Sequence, residues 1–283
     1  MKNKITLIIT LFASVSLFAS VSPKEKEALL NLYQATNGAQ WSKTWNLDAP
    51  VNTWFGVVLK NDKVISVDLS NNHLVGELPA SVTDLVYLQK LNLFRNEISG
   101  VLPSSISNLK DLKYLNLSFN KLSGTIPSQL GDLSKLQSVE LFMNDLSGSI
   151  PAQLGNLKQL KVLSLFNNDI SGTIPSTIYE LKSLRVLLLN SNKLTGKLSK
   201  EVANLTALEN LSLFENNMDG QVPFDLEQLP KLKEMNISYN NFSGAVSRNL
   251  AQLDTLNMTM INQSGLAVVL PVVDKTSALA DED

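Results

Sequence analysis

Residues 112–133 read LKYLNLSFNKLSGTIPSQLGDL, and the unit that sets the fold can be read from this stretch. Leu112, Leu115, Leu117, Asn120, Leu122, Gly124, Ile126, Pro127, Leu130 and Leu133 are its fixed points. The same pattern returns every 24 residues, with its first position at Leu88, Leu112, Leu136, Leu160, Leu184, Leu208 and Leu232 and a last partial match at Leu256. Starting from Val64, eight units follow without insertion or deletion. A strict period of this length marks a chain of stacked, near-identical coils in which each unit buries its apolar side against its neighbours.

The symbols in the template each have a physical reason. Leu115 and Leu117 alternate inward on a short strand, so the equivalent strands should stack into one parallel sheet. The column Asn72, Asn96, Asn120, Asn144, Asn168, Asn192, Asn216 and Asn240 falls where the chain leaves that strand. A buried amide at that point can satisfy backbone groups of adjacent coils that no regular ladder reaches. Gly76, Gly100, Gly124, Gly148, Gly172, Gly196, Gly220 and Gly244 mark a bend that favours glycine. Pro79, Pro103, Pro127, Pro151, Pro175 and Pro223 stand where a short helical segment begins, while Ser199 and Ser247 replace proline in the sixth and eighth units, whose turns are expected to be looser.

This pattern is the leucine-rich-repeat signature, and its G-x-I-P form with a 24-residue period resembles the plant-type repeats of receptor-kinase ectodomains and polygalacturonase-inhibiting proteins. The resemblance implies an α/β solenoid, a right-handed superhelix with a parallel sheet on the concave face and short helical or 3-10 segments on the convex face. Eight repeats are expected over residues 64–255, a helical and Trp-rich N-terminal cap over 20–63, and a C-terminal cap with an acidic tail over 256–283. Trp41, Trp45 and Trp54 all lie in the first cap, and Ala28, Leu29, Leu32 and Tyr33 fit one helical face that would cover the open end of the first coil. Downstream, residues 257–261 and 265–273 read as two extended segments that close the other end. Plant relatives staple their caps with cysteine pairs, and this chain has no cysteine, which favours an exported bacterial relative.

The amino terminus reads as an address. Lys2 and Lys4 precede the apolar run from Ile5 to Phe18, and the small residues after it complete a secretory signal over residues 1–19. Its apolar run is too short for a comfortable bilayer span, and no transmembrane segment is expected once it is removed. Ser22, Pro23 and Glu25 then form a helix start, with Ser22 as N-cap and Glu25 closing a capping box. The destination is therefore secreted, extracellular or periplasmic, or the cell surface.

Composition removes whole classes of function. With 24 Lys+Arg against 26 Asp+Glu, the net charge of −2 argues against nucleic-acid binding. The absence of cysteine and a single histidine exclude thiol nucleophiles, disulfide frameworks and multi-histidine metal sites. His73 follows the first repeat asparagine at a variable position with no serine and carboxylate converging on it, and no spacing places two carboxylates across a pocket. The chain thus reads as no enzyme, with no catalytic, cofactor or metal residues and no cofactor.

What remains is a surface. Two residues before each repeat asparagine stand Ser70, Phe94, Ser118, Phe142, Phe166, Asn190, Phe214 and Ser238, and one residue before it Asn71, Arg95, Phe119, Met143, Asn167, Ser191, Glu215 and Tyr239, with Tyr114 two columns away. With strands about 4.8 Å apart, Phe142 and Phe166 can touch, and exposed aromatics gather at one lateral edge of the concave sheet. The expected partner-binding residues are Phe94, Arg95, Tyr114, Phe119, Phe142, Met143, Phe166, Phe214, Glu215 and Tyr239. Phenylalanine at this column is also a framework choice in plant-type repeats, so the ladder admits a structural reading beside the binding one. Lys113, Lys161, Arg185 and Lys233, with Glu209 among them, read as a solvated row. The resemblance implies non-covalent recognition of an extracellular protein first and of a glycan second. A structural or adhesive surface protein that makes its contacts through its ends is the competing class, and an ice-binding role comes third.

Overall fold

The structure is a computed structural model that describes residues 21–254, 256 and 258–273. The export segment read from residues 1–19 and the acidic tail from Lys275 lie outside the described residues. A nine-stranded sheet runs along the molecule in the order Val57–Lys60, Lys63–Asp68, Lys90–Asn92, Tyr114–Asn116, Ser138–Glu140, Val162–Ser164, Val186–Leu188, Asn210–Ser212 and Glu234–Asn236. All pairs after the first are parallel, and Leu91, Leu115, Val139, Leu163, Leu187 and Leu211 stack in register. These side chains are at most 1% exposed, so the repeat leucines form a single apolar core along the solenoid. Burying a leucine fully is worth about 1.5–3 kcal/mol, and the period guarantees that each is buried by its copies in the next coil.

The sequence reading placed a bend at the repeat glycines, and the structure goes further. A second parallel sheet of eight strands occupies that side, from Val75–Glu77 through Lys121–Thr125 and Asp145–Ser149 to Asn241–Ser243. The glycine lies inside these strands, where Gly124 has φ +74° and a Cβ would stand 2.9 Å from Val101 Cγ1 of the preceding coil. Both the left-handed backbone and the close coil spacing therefore require glycine there. The first seven coils then each make a short 3-10 segment such as Ser128–Asp132, entered by Pro127 at φ −68°. Looser turns without proline are not observed. Ser199 holds φ −69° and caps Glu201 N–H with its hydroxyl, and Ser247 caps the helix Arg248–Leu253 by accepting from Leu250 N–H at 3.2 Å. A side-chain cap does there what the pyrrolidine ring does elsewhere.

The asparagine column binds coil to coil. In Asn144, Nδ2 donates to the carbonyls of Leu117 (3.1 Å) and Leu141 (3.0 Å), while Oδ1 accepts from Leu122 N–H at 2.9 Å. Asn168, Asn216 and Asn240 repeat this set. Asn72, in the first coil, instead accepts from Lys43 N–H at 2.7 Å and donates to Lys43 O, and so fastens the cap to the solenoid.

The first cap begins with helix α1, Pro23–Ala35, whose start is the expected one. The Glu25 N–H donates to the Ser22 hydroxyl at 3.3 Å, and its carboxylate reaches further. Glu25 is 2% exposed, takes the Ser22 hydroxyl at 2.7 Å, and accepts from Val64 N–H of the first coil at 3.0 Å. The antiparallel strand Val57–Lys60 covers the open edge of Lys63–Asp68, turning through Asn61 and Asp62, both at positive φ. In place of disulfides, Trp45 stacks on Trp54 at 4.7 Å and meets Trp41 edge-on at 4.9 Å, and all three indole N–H groups donate to backbone carbonyls. At the far end, helix α2 (Arg248–Leu253) leads to Asp254, a buried carboxylate that accepts from Ile237 N–H at 2.7 Å and from the Ser238 hydroxyl at 2.9 Å.

Candidate functional site

The outward face of the nine-stranded sheet is built from the residues that alternate with the core leucines. Its N-terminal part is polar. Asp68 receives Lys90 Nζ at 2.8 Å and the Asn92 amide at 3.0 Å, and Glu140 receives the Ser138 hydroxyl at 2.8 Å and the Asn116 amide at 3.2 Å. Burial works to raise the Asp68 carboxyl, but Lys90, Asn92 and Ser70 outweigh it and hold the group below its ordinary value. Further along, Val162, Val186 and Leu188 leave a half-buried apolar floor. At one margin of the strands Glu209 bridges Arg185 (2.5 Å) and Lys233 (2.9 Å); the hydrogen bond from Lys233 and then that from Arg185 hold its carboxyl below the usual range. Lys113 and Lys161 in the same row pair with the neutral amides of Gln89 and Gln137.

The aromatic residues meet at the opposite margin. Phe142 and Phe166 stack at 4.3 Å with their planes 11° apart. Phe94 is two coils from Phe142 along the phenylalanine column because Ser118 intervenes, and the gap is filled from the next column. Phe119 stands edge-on to Phe94 at 5.4 Å and to Phe142 at 5.6 Å, so Phe94, Phe119, Phe142 and Phe166 form one continuous row. The same substitution of columns occurs beyond the break at Asn190, where Tyr239 beside Ser238 packs on Phe214 at 5.3 Å. The rings in the phenylalanine column are half-buried, while Phe119 and Tyr239 are exposed.

Of the ten predicted residues, the structure brings six together in these two groups. Tyr114 is not in the row; it sits out on the strands, in register with Lys90 and Ser138, and is 46% exposed. Arg95, Met143 and Glu215 lie beside the row, with Glu215 accepting from the Ser191 hydroxyl at 2.8 Å. A feature absent from the sequence reading explains this geometry. All eight residues that precede a repeat asparagine, from Asn71 to Tyr239, adopt left-handed backbone at φ +51° to +58°. Such a conformation costs an L-residue about 1–2 kcal/mol and is compensated here by backbone N–H groups that reach the next coil, as Phe119 does to Phe142 O at 2.9 Å. The left-handed turn carries Phe119 sideways into the vacancy over Ser118. Glycine and asparagine are the usual signals of this conformation, and Arg95, Phe119, Met143 and Glu215 give none.

His73 Nδ1 lies 3.4 Å from Glu97 Oε1, with both side chains exposed, and Glu97 is also paired with Lys121. Among the described residues no group of three His, Asp or Glu side chains is arranged to hold a metal ion. No described helix is long and apolar enough to cross a membrane.

Known proteins match this architecture. Family models described as leucine-rich repeat region and leucine-rich repeat match residues 142–266, 86–146 and 63–85. A probable leucine-rich repeat receptor-like protein kinase of Arabidopsis thaliana is 34% identical over 92 residues, which are 31% of this chain. The chain spans 9% of that relative's length. Among solved structures, a plant peptide hormone receptor, RGFR1 in complex with RGF2, is 31% identical with a TM-score of 0.64, over 73% of this chain and 32% of the receptor. A plant ice-binding protein is 28% identical with a TM-score of 0.63, over 90% of this chain and 99% of that protein.

Proposed function

The chain belongs to the leucine-rich-repeat family in its plant-type form, and from that premise we propose that it is a secreted binding module that holds an extracellular protein against the concave, aromatic-edged face of its nine-stranded sheet. The observation that carries this reading is the continuous row Phe94, Phe119, Phe142 and Phe166. Rings needed only as framework would be covered by their neighbours; these keep free surface along four successive coils, next to the apolar floor of Val162, Val186 and Leu188. Aromatic side chains bring large contact area at low entropic cost, which is why they dominate the centres of protein interfaces. A solved peptide hormone receptor of the same fold in complex with RGF2 supports recognition of a polypeptide over that of a glycan. Recognition is non-covalent, and the rigid solenoid presents the row without rearrangement.

The test is a capture experiment from culture medium and host extracts with the wild-type protein beside the double variant Phe142→Ser, Phe166→Ser, read by mass spectrometry and on a glycan array. A protein retained by the wild type alone supports the reading. A partner retained equally by both removes the row from the interface, and selective glycan retention replaces the protein partner with a saccharide.

A second reading rests on the other sheet. Ser99, Ser123, Ser147 and Ser171 donate to the carbonyl of a glycine in the preceding coil at 3.1–3.5 Å, and Val101, Thr125, Ser149 and Thr173 follow the glycines as a second uncharged line. Hydroxyls ordered at the coil spacing form a regular surface, and the plant ice-binding protein matches 90% of this chain over 99% of its own length. In this reading the serine and threonine rows between Ser99 and Thr173 bind ice, Thr125→Lys abolishes thermal hysteresis, and Phe142→Ser leaves it unchanged. Absence of hysteresis in the wild type would exclude it.

A further inference from the structure

The C-terminal end of the solenoid is finished differently from the N-terminal end. At the N-terminus, strand Val57–Lys60 covers the first parallel strand, and helix α1 packs beside it. At the C-terminus, strand Thr259–Ile261 is seated on the last coil, with Tyr239 N–H donating to Thr259 O at 2.7 Å and Ile261 N–H to Asn240 O at 2.8 Å. An antiparallel strand, Ala267–Val269, then pairs with Thr259–Ile261, placing Val268 opposite Met260. Among the described residues Ala267–Val269 has no second strand neighbour, and all three of its residues are exposed.

Natural sheet edges of this kind carry a lysine, a proline, a bulge or a covering loop, because unpaired backbone N–H and C=O groups otherwise recruit another strand. Here residues 264–273, SGLAVVLPVV, contain no charge, and the proline comes only at position 271, beyond the strand. Leu266 (63% exposed) and Val269 (62%) are the two most exposed large apolar side chains in the described molecule, and Val268 and Val272 add to the same patch. A groove of roughly 600 Å³ runs between this hairpin and Asn241–Ser243, the last strand of the second sheet, which is likewise unpaired on its outer side. An end built this way has the features that mark a contact surface rather than a solvated terminus.

We propose that this edge pairs with the same edge of a second copy of the chain, forming a two-fold dimer in which the Ala267–Val269 strands run antiparallel about Val268 and the two solenoids abut end to end. Three observations select a second copy over an unrelated partner. The unpaired groups are backbone, so the occupant is an extended strand. Antiparallel pairing of one strand with itself is a closed, self-complementary operation that caps both edges at once. Finally, the stretch carries no charge that would repel its own copy, where a single edge lysine would suffice to do so. The groove beside the strand leaves room for an apolar side chain of the neighbouring copy.

The chain's lack of cysteine gives a direct test. In the two-fold pairing the Val268 Cα atoms of the two copies face each other at about 4.5–5.5 Å, within disulfide reach. Val268→Cys is therefore expected to cross-link into a covalent dimer under mild oxidation, while Val101→Cys, more exposed (59% against 39%) but on the second sheet, forms no covalent dimer. Light scattering coupled to size exclusion is expected to give twice the chain mass for the wild type at micromolar concentration and the single mass for Val269→Lys, with unchanged far-UV circular dichroism. The double variant Phe142→Ser, Phe166→Ser dimerises like the wild type, which separates this surface from the aromatic row. A monomeric wild type, a Val269→Lys variant that still dimerises, or equal cross-linking at Val101→Cys and Val268→Cys would each overturn the proposal.

Discussion

At the scale of single residues, the asparagine and glycine columns have distinct and measurable duties. Asn144→Ala removes an amide that serves two carbonyls and one N–H in the interior, and leaving such groups unpaired costs about 1–3 kcal/mol each. Urea titration should therefore show a loss of about 2–4 kcal/mol, and a loss below 1 kcal/mol would deny the column its role. Two glycines separate backbone strain from steric conflict. Gly172→Ala meets nothing closer than 3.6 Å and should cost only the left-handed penalty of about 1–2 kcal/mol, while Gly124→Ala adds the 2.9 Å encounter with Val101 and should cost more. Tyr179 occupies the position held by Gly131 and Gly155 in the two preceding coils, with its hydroxyl buried and unpaired. Burial pushes that hydroxyl from 10.0 up to about 12, whereas the unfolded chain ionises near 10. Stability is therefore complete below pH 10 and declines as pH rises from about 10 to about 12, by on the order of 2–3 kcal/mol. Tyr179→Phe should lose that decline and be at least as stable at neutral pH, which alkaline urea titrations of the two proteins would compare. The periodic columns were legible in the sequence because each position wants one residue type. The left-handed turn before each asparagine was not, because backbone bonds between coils impose it on arginine, phenylalanine and glutamate alike.

At the scale of elements, the cap and the row show what local pattern can and cannot reveal. Ser22, Pro23 and Glu25 announced the helix start, but nothing in the local spacing says that Glu25 reaches 39 residues ahead to Val64. The second sheet was hidden for a related reason. Its strands carry glycine and serine, residues that read as turns, and they become strands only because identical neighbours lie on both sides. In the aromatic row, Phe142 and Phe166 were readable from the spacing of equivalent strands, whereas the insertion of Phe119 over Ser118 depends on the turn geometry. Three tryptophans hold the cysteine-free cap, and Trp45 is central to them. Trp45→Ala should destabilise the cap by about 3–5 kcal/mol. Because every tryptophan of the chain lies in the cap, fluorescence reports its unfolding separately from the far-UV signal of the repeats. The variant should show a fluorescence midpoint at lower denaturant than its circular dichroism midpoint; coincident midpoints would mean that cap and repeats cannot come apart.

At the scale of the whole molecule, a solenoid whose coils touch only their neighbours should tolerate removal of a complete unit. Deleting residues 144–167 joins equivalent positions and should give a folded, slightly less stable protein, while deleting residues 144–155 breaks the register of both sheets and should not fold; circular dichroism and solubility distinguish the two. The shorter of these deletions is informative only because the 24-residue period is uninterrupted. Such a scaffold is rigid along its length, so function resides in the side chains that its faces present. On the nine-stranded sheet these are the aromatic row and the apolar floor beside it, and the central claim is that a partner protein is held there. The most direct measurement is calorimetric titration of a captured partner against three proteins: the wild type, the double variant Phe142→Ser, Phe166→Ser, and Thr125→Lys on the opposite sheet. Stripping two stacked anchors of about 1–2 kcal/mol each should weaken binding by roughly thirty-fold or more in the double variant, with Thr125→Lys indistinguishable from the wild type. Equal affinity for the wild type and the double variant, or a loss confined to Thr125→Lys, would contradict the account.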